Sequence, residues 1–103
     1  MRLEPEVKLD FKDVLIRPKR STLKSRKEVK LKRQYKFRNS GNFWSGIPIM
    51  AANMDGVGTF NMAHELAKNK MFTCITKQNT PKDWFNQFGQ TDTNYIAISI
   101  GTS

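Results

Sequence analysis

Gly46-Ile47-Pro48-Ile49-Met50-Ala51-Ala52-Asn53-Met54-Asp55-Gly56 opens the part of the chain that decides the fold. Its apolar run, Ile47 to Ala52, reads as a short strand buried on both faces and followed by a polar turn. Two similar runs follow, Met71 to Thr76 and Tyr95 to Ile100, so strands recur about every 24 residues. Helix patterns fill the gaps. Thr59 can cap the first helix, whose apolar stripe is Phe60, Ala63 and Ala67 beside Met62 and Leu66. Thr80-Pro81-Lys82-Asp83 starts the second, with Thr at the cap, Pro at the first position and an acid three residues after the cap. Trp84, Phe85 and Phe88 supply its apolar face, and Gly89 fits its end. Strand, helix, strand, helix, strand is the signature of a parallel α/β sheet.

The pattern stops in stride. A third parallel strand without a following helix leaves a face uncovered, and a closed barrel of eight such units takes about 250 residues. The 103 residues are therefore expected to be the front part of a larger α/β domain. Such a piece alone exposes two strand edges and is expected to be poorly soluble or molten.

Working outward, the chain carries 18 Lys and Arg against 9 Asp and Glu, a formal charge of +9. Eleven of the basic residues lie between Arg17 and Arg38, opposed only by Glu28, so the whole excess sits in one segment. That segment should attract phosphates whatever its fold. A solvated basic face, a nucleic-acid surface and a site for a phosphate-bearing small molecule all remain open on charge alone. Within it Val29, Leu31, Tyr35 and Phe37 alternate with polar and basic residues, which predicts a half-buried strand with a basic outer face. Pro18, Ser21, Thr22 and Ser25 make the stretch before it a loop. The longest apolar run has six residues, against the roughly 20 of a membrane span. Acids among the first 16 residues argue against a signal peptide. One cysteine excludes an internal disulfide or a cysteine-rich zinc site. An intracellular, soluble, basic protein is expected.

Candidate sites are few. Gly56-Val57-Gly58-Thr59-Phe60-Asn61 lies between a strand and a helix, as a dinucleotide-binding loop would. Asn61 replaces its third glycine and no acid ends the second strand, so a plain turn is the reading. Lys77 lies just past the second strand, where strand-to-helix loops build sites in parallel α/β folds. There it could meet a phosphate or a polar substrate group, or simply be a solvated loop lysine. His64 reads as a surface histidine and Cys74 as an inert core thiol. Composition and spacing name no reaction.

Several segments together resemble the GMP reductases of the IMP dehydrogenase/GMP reductase family. They are Leu9-Asp10-Phe11-Lys12-Asp13-Val14-Leu15-Ile16-Arg17-Pro18-Lys19-Arg20-Ser21, Leu23-Lys24-Ser25-Arg26, and Ser45 to Asp55 with Val57-Gly58-Thr59-Phe60. Met71-Phe72-Thr73, Lys77, Trp84, Ser99 and Gly101-Thr102-Ser103 continue the likeness. The stretch from Arg17 to Arg26 separates it from the IMP dehydrogenases. The resemblance implies a partial TIM (β/α)8 barrel, with residues 1–45 as an N-terminal extension carrying the basic loop and strand, and residues 46–103 as the first barrel strands and helices. It also implies NADPH-dependent reduction and deamination of GMP to IMP and ammonia, in the cytoplasm, by a homotetramer. By the same resemblance Ser25 and Arg26 touch the cofactor across a subunit boundary, Lys77 stands at the cofactor and reaction site, and Met54 lies near the bound nucleotide. Two phosphorylated small molecules account for the charge better than nucleic acid does.

The chain departs from the family pattern at Thr76, Gln78 and Asn79 around Lys77, at Gly56 and at Ile100. The family's nucleophilic cysteine, its paired threonine and the nucleotide phosphate loops belong to later strands, and Cys74 is not that cysteine. The chain by itself is therefore expected to be inactive. Two other expectations are kept beside this one: a small basic nucleic-acid-binding protein, and a truncated subunit that modulates a full-length reductase.

Overall fold

A computed structural model describes residues 1–87 and 89–102. Five strands and two helices follow one another in the order β1 (Arg33–Lys36), β2 (Phe43–Gly46), β3 (Met50–Ala51), α1 (Phe60–Lys68), β4 (Phe72–Ile75), α2 (Pro81–Gln87) and β5 (Ile96–Ile98). The strands β3, β4 and β5 form a parallel sheet with β4 in the centre. This is the topology that alternating strand and helix patterns predict. Strands β1 and β2 form a separate antiparallel hairpin. Among the described residues these two sheets make no closed barrel.

The core lies between α1 and β4. Thr59 is extended, and its hydroxyl accepts from Met62 N–H at 3.1 Å, capping α1 as expected. Ala63 is buried beneath the helix, Phe60, Leu66 and Ala67 are half-buried, and Met62 lies at the rim. On β4, Thr73 and Ile75 are fully buried while Phe72 and Cys74 between them are half-buried, so only one face of the strand is covered. Cys74 is thus no sealed core thiol. It sits on the open face and its Sγ donates to Met50 Sδ at 3.1 Å.

The second helix starts as its sequence predicts. Thr80 N–H donates to Asp83 Oδ2 at 2.8 Å and Asp83 N–H to Thr80 Oγ1 at 3.2 Å, a reciprocal capping box. Trp84 meets Phe60 edge-on at 5.0 Å between centroids and joins the two helices. Phe85 does not share that contact; it is 82% exposed, because the face it occupies has no neighbouring layer. Phe88 lies outside the described residues. Gly89 sits in a turn without the left-handed φ of a glycine helix stop.

Three strands are shorter or less buried than expected. The run from Ile47 to Ala52 pairs as β3 over two residues, preceded by Pro48, which has no N–H, and Met50 is 59% exposed. The run from Tyr95 to Ile100 yields β5, with Tyr95 in a 3-10 turn and Ile100 exposed. The basic alternation yields only β1, all four residues of which are exposed. Val29 and Leu31 fall outside it, while Tyr35 and Phe37 line an open apolar groove of about 560 Å3 with Trp44, Ile49, Met50 and Phe72. Its partner β2 went unpredicted. The turn that makes the hairpin, Asn39-Ser40-Gly41-Asn42, was its available sign.

Trp44 ties the hairpin to the parallel sheet. Its indole N–H donates to Asn94 O at 2.8 Å, and its ring meets Tyr35, Phe72 and Tyr95 at centroid distances of 6.2, 5.7 and 6.1 Å. Asn94, Tyr95 and Lys70 all precede the strands they lead into. The hairpin therefore crosses the edge of the sheet where β4 and β5 begin.

Candidate functional site

The other edge, where β3, β4 and β5 end, carries Lys77 and Met54, two of the site residues expected from sequence. Three loops leave it: residues 52–59, 76–80 and 99–102. In the first, the Met54 carbonyl accepts from both Val57 N–H (3.0 Å) and Gly58 N–H (2.9 Å), so the turn is tight and Met54 stands exposed at its start. Gly56 takes φ +72°, a left-handed backbone that suits glycine. Gly58 is buried with no room for a side chain. A Cβ there would collide with Cys74 O and stand 2.8 Å from Ala52 O. That close approach lets Thr76 N–H donate to Gly58 O at 3.0 Å, which locks the end of β4 to the start of α1.

Lys77 lies in the next turn and is exposed. It has no hydrogen bond or ion pair among the described residues. Its turn is held from both sides: Asn79 Nδ2 donates to Thr76 O at 3.0 Å and lies 3.3 Å from Thr76 Oγ1. Thr76 and Asn79 thus form a clamp with each other. Across the edge, Asn53 Nδ2 donates to Ser99 Oγ at 3.1 Å, linking the loop after β3 to the end of β5. Site reasoning from sequence assigned no role to Asn53, Ser99, Thr76 or Asn79; a polar residue closing each apolar run was the available signal. Ser103 lies outside the described residues.

Ser25 and Arg26 belong to a separate unit. Ser25 is extended and its hydroxyl accepts from Lys27 N–H at 3.3 Å, capping a 3-10 turn over Arg26–Glu28. Glu28 Oε2 accepts from Lys24 N–H at 3.0 Å, so the one acid of the basic segment closes its own turn instead of neutralising a cation. Arg26 is exposed and has no ion pair among the described residues. No hydrogen bond among the described residues joins this turn to the Lys77 edge. The sheet edge brings Lys77 and Met54 to one side of the molecule, and the Ser25–Arg26 turn is held locally on its own. His64 is exposed, as expected, with Nδ1 3.0 Å from Gln90 O.

Among the described residues no group of three or more His, Cys, Asp or Glu could hold a metal ion. No helix is long and apolar enough to cross a membrane.

The fold is an open parallel α/β sheet with an exposed lysine beyond its central strand, preceded by an exposed basic segment. The family can be named as well. The model described as IMP dehydrogenase / GMP reductase domain matches residues 8–92, and the chain belongs to that family. It is 64% identical over 83 residues to a GMP reductase of Phytophthora infestans, covering 81% of this chain and 23% of that protein. It is 53% identical to a GMP reductase of Citrobacter koseri, covering the whole of this chain and 30% of that one. A GMP reductase of Vibrio vulnificus is 51% identical, with the same coverage. The chain thus spans less than a third of the length of these relatives. Because the match runs far beyond the basic segment, charge alone gives no support to a separate nucleic-acid-binding protein.

Proposed function

We propose that this chain contributes the Lys77 edge of a (β/α)8 barrel that converts GMP to IMP and ammonia with NADPH. The observation that carries it is Lys77, an exposed ammonium without an intramolecular partner among the described residues, on a clamped turn past the central parallel strand, in a chain of this family. In the same proposal residues 1–45 are an extension with the cofactor-contacting turn, residues 46–103 the first barrel strands and helices, and the assembly a cytoplasmic homotetramer.

Converting GMP to IMP exchanges the 2-amino group for hydrogen, so a hydride and a proton must enter and ammonia leave. NADPH, when bound, supplies that hydride. The residues present suit its anionic phosphates: Arg26 and Lys77 are exposed cations, and the Ser25 hydroxyl, which accepts from Lys27 N–H, keeps its own O–H to donate. Lys77 presents its ammonium to cofactor and purine at the sheet edge, and Met54 lies against the nucleotide. The one thiol of these 103 residues, Cys74, is hydrogen-bonded to Met50 on the sheet face and is not the nucleophile in this reading. The chain acting alone is accordingly proposed to be inactive.

The test is GMP-dependent oxidation of NADPH by the complete barrel to which this chain contributes. Lys77→Ala is expected to lower kcat about 100-fold. Arg26→Ala is expected to raise KM for NADPH about tenfold with kcat little changed. Wild-type rates in both variants would overturn the assignment.

A further inference from the structure

A second set of cations gathers at the edge of the sheet opposite Lys77. Lys70 precedes β4 and Lys77 follows it, so they mark the two ends of one strand. The hairpin meets the Lys70 end. Ile47 N–H donates to Lys70 O at 2.8 Å, and the neighbouring Gly46 packs against the same oxygen. Gly46 is paired with Arg33 across β1 and β2, which brings the start of β1 beside the turn between α1 and β4. The Arg33 guanidinium folds back onto the carbonyls of Lys30 and Lys32, holding these cations on one bend.

Lys32 and Lys70 face each other. The contact with the Lys70 ammonium, and then its charge, hold the Lys32 amine below its ordinary lysine value. Two facing ammonium groups repel, and an anion between them turns that repulsion into attraction. Among the described residues none of the four cations is paired with a carboxylate; the ion pairs lie at Lys8 and Lys68. Lys70 also adopts φ +58°, a conformation unusual for a residue with a side chain.

We propose that Lys30, Lys32, Arg33 and Lys70 form an anion site at this edge for a run of closely spaced phosphate groups. Four cations exceed what one phosphate matches, and they combine point charges with a guanidinium. The proposal is independent of the reductase reading, since neither Lys77 nor Arg26 takes part. The phosphates can come from a free polyphosphate or from a nucleic-acid backbone, and both are tested.

Inorganic tripolyphosphate and a single-stranded DNA oligomer are titrated separately by calorimetry into the protein as expressed. Two variants are compared, each lacking two charges: Lys32→Ala with Lys70→Gly, and Lys19→Ala with Arg20→Ala. Glycine at 70 removes the charge and relieves the left-handed backbone, so a loss of binding there is no loss of fold. The Lys32/Lys70 variant is expected to lose at least tenfold in affinity for one probe or both, and the Lys19/Arg20 variant less than threefold. The probe bound more tightly by wild type identifies the source. Equal losses in the two double variants, or no binding of either probe to wild type, would overturn the proposal.

Discussion

Among the described residues, every hydrogen bond made within residues 1–32 spans four positions or fewer, from the Asp10–Asp13 capping box to the Ser25–Glu28 turn. Further along, Trp44 reaches Asn94, Asn53 reaches Ser99 and Ile47 reaches Lys70. The first region holds most of the charge and all its residues are exposed. The second holds the buried residues. Long-range bonds hold the Lys77 edge, whereas the basic segment carries its cations on turns whose position relative to that edge no hydrogen bond among the described residues fixes. Substitutions in the sheet should therefore change stability, and substitutions in the basic segment should change binding with little effect on folding.

Gly58→Ala attacks the sheet most directly. Its new methyl group would meet the Cys74 and Ala52 carbonyls, backbone that cannot turn aside. A loss of about 3 kcal/mol in urea unfolding is expected. A loss under about 0.5 kcal/mol, the size of an ordinary surface change, would erase the contrast between the two regions.

Thr80→Ala comes next. It removes the hydroxyl that accepts from Asp83 N–H, at an expected cost of about 1 kcal/mol. The same cap has a pH signature. The hydrogen bond from Thr80 N–H, then that with the Thr80 hydroxyl, hold the Asp83 carboxyl below its ordinary 3.8. A depressed folded value means the cap's contribution is complete above 3.8 and fades as pH falls through the folded value. The Thr80 amide shift should follow that titration and be flat in Asp83→Asn.

The sequence made some of this legible and hid the rest for physical reasons. Local signals held: Thr59 and Thr80 cap their helices because a hydroxyl and free N–H groups lie within one turn. The order of the parallel strands followed from the alternation of patterns. Burial did not follow, because it depends on what covers a face. Met50, Phe85 and Ile100 are as apolar as Ile75, yet only Ile75 has a layer above it. The hairpin escaped because Phe43-Trp44-Ser45-Gly46 is too short to alternate visibly, and the indole bond of Trp44 reaches a residue 50 positions away. The place of Lys77 just past the central strand was legible in the sequence. The clamp of Thr76 with Asn79 and the bridge from Asn53 to Ser99 were not, since neither spacing has a period.

Thr73→Val sharpens the comparison from within the core. Thr73 Oγ1 is buried without a hydrogen-bond partner among the described residues. Replacing an unsatisfied hydroxyl by a methyl of the same shape is expected to raise stability by up to about 1 kcal/mol. A clear loss would mean that the hydroxyl has a partner, and that the core is more polar than its side chains indicate.

The smallest effect should come from Asp10→Ala. Asp10 accepts from Phe11 N–H at 2.7 Å and its own N–H donates to Asp13 Oδ2 at 3.0 Å, a complete capping box on a three-residue turn. The same geometry at Thr80 stabilises a helix that Trp84 packs against Phe60, whereas Phe11 and its neighbours are exposed and pack on nothing described. A cap stabilises the fold only when the turn it closes is coupled to the core. Asp10→Ala should therefore change urea unfolding by less than about 0.5 kcal/mol, while proteolysis between residues 8 and 16 speeds up. An effect equal to that of Thr80→Ala would mean that the first residues are coupled to the sheet after all.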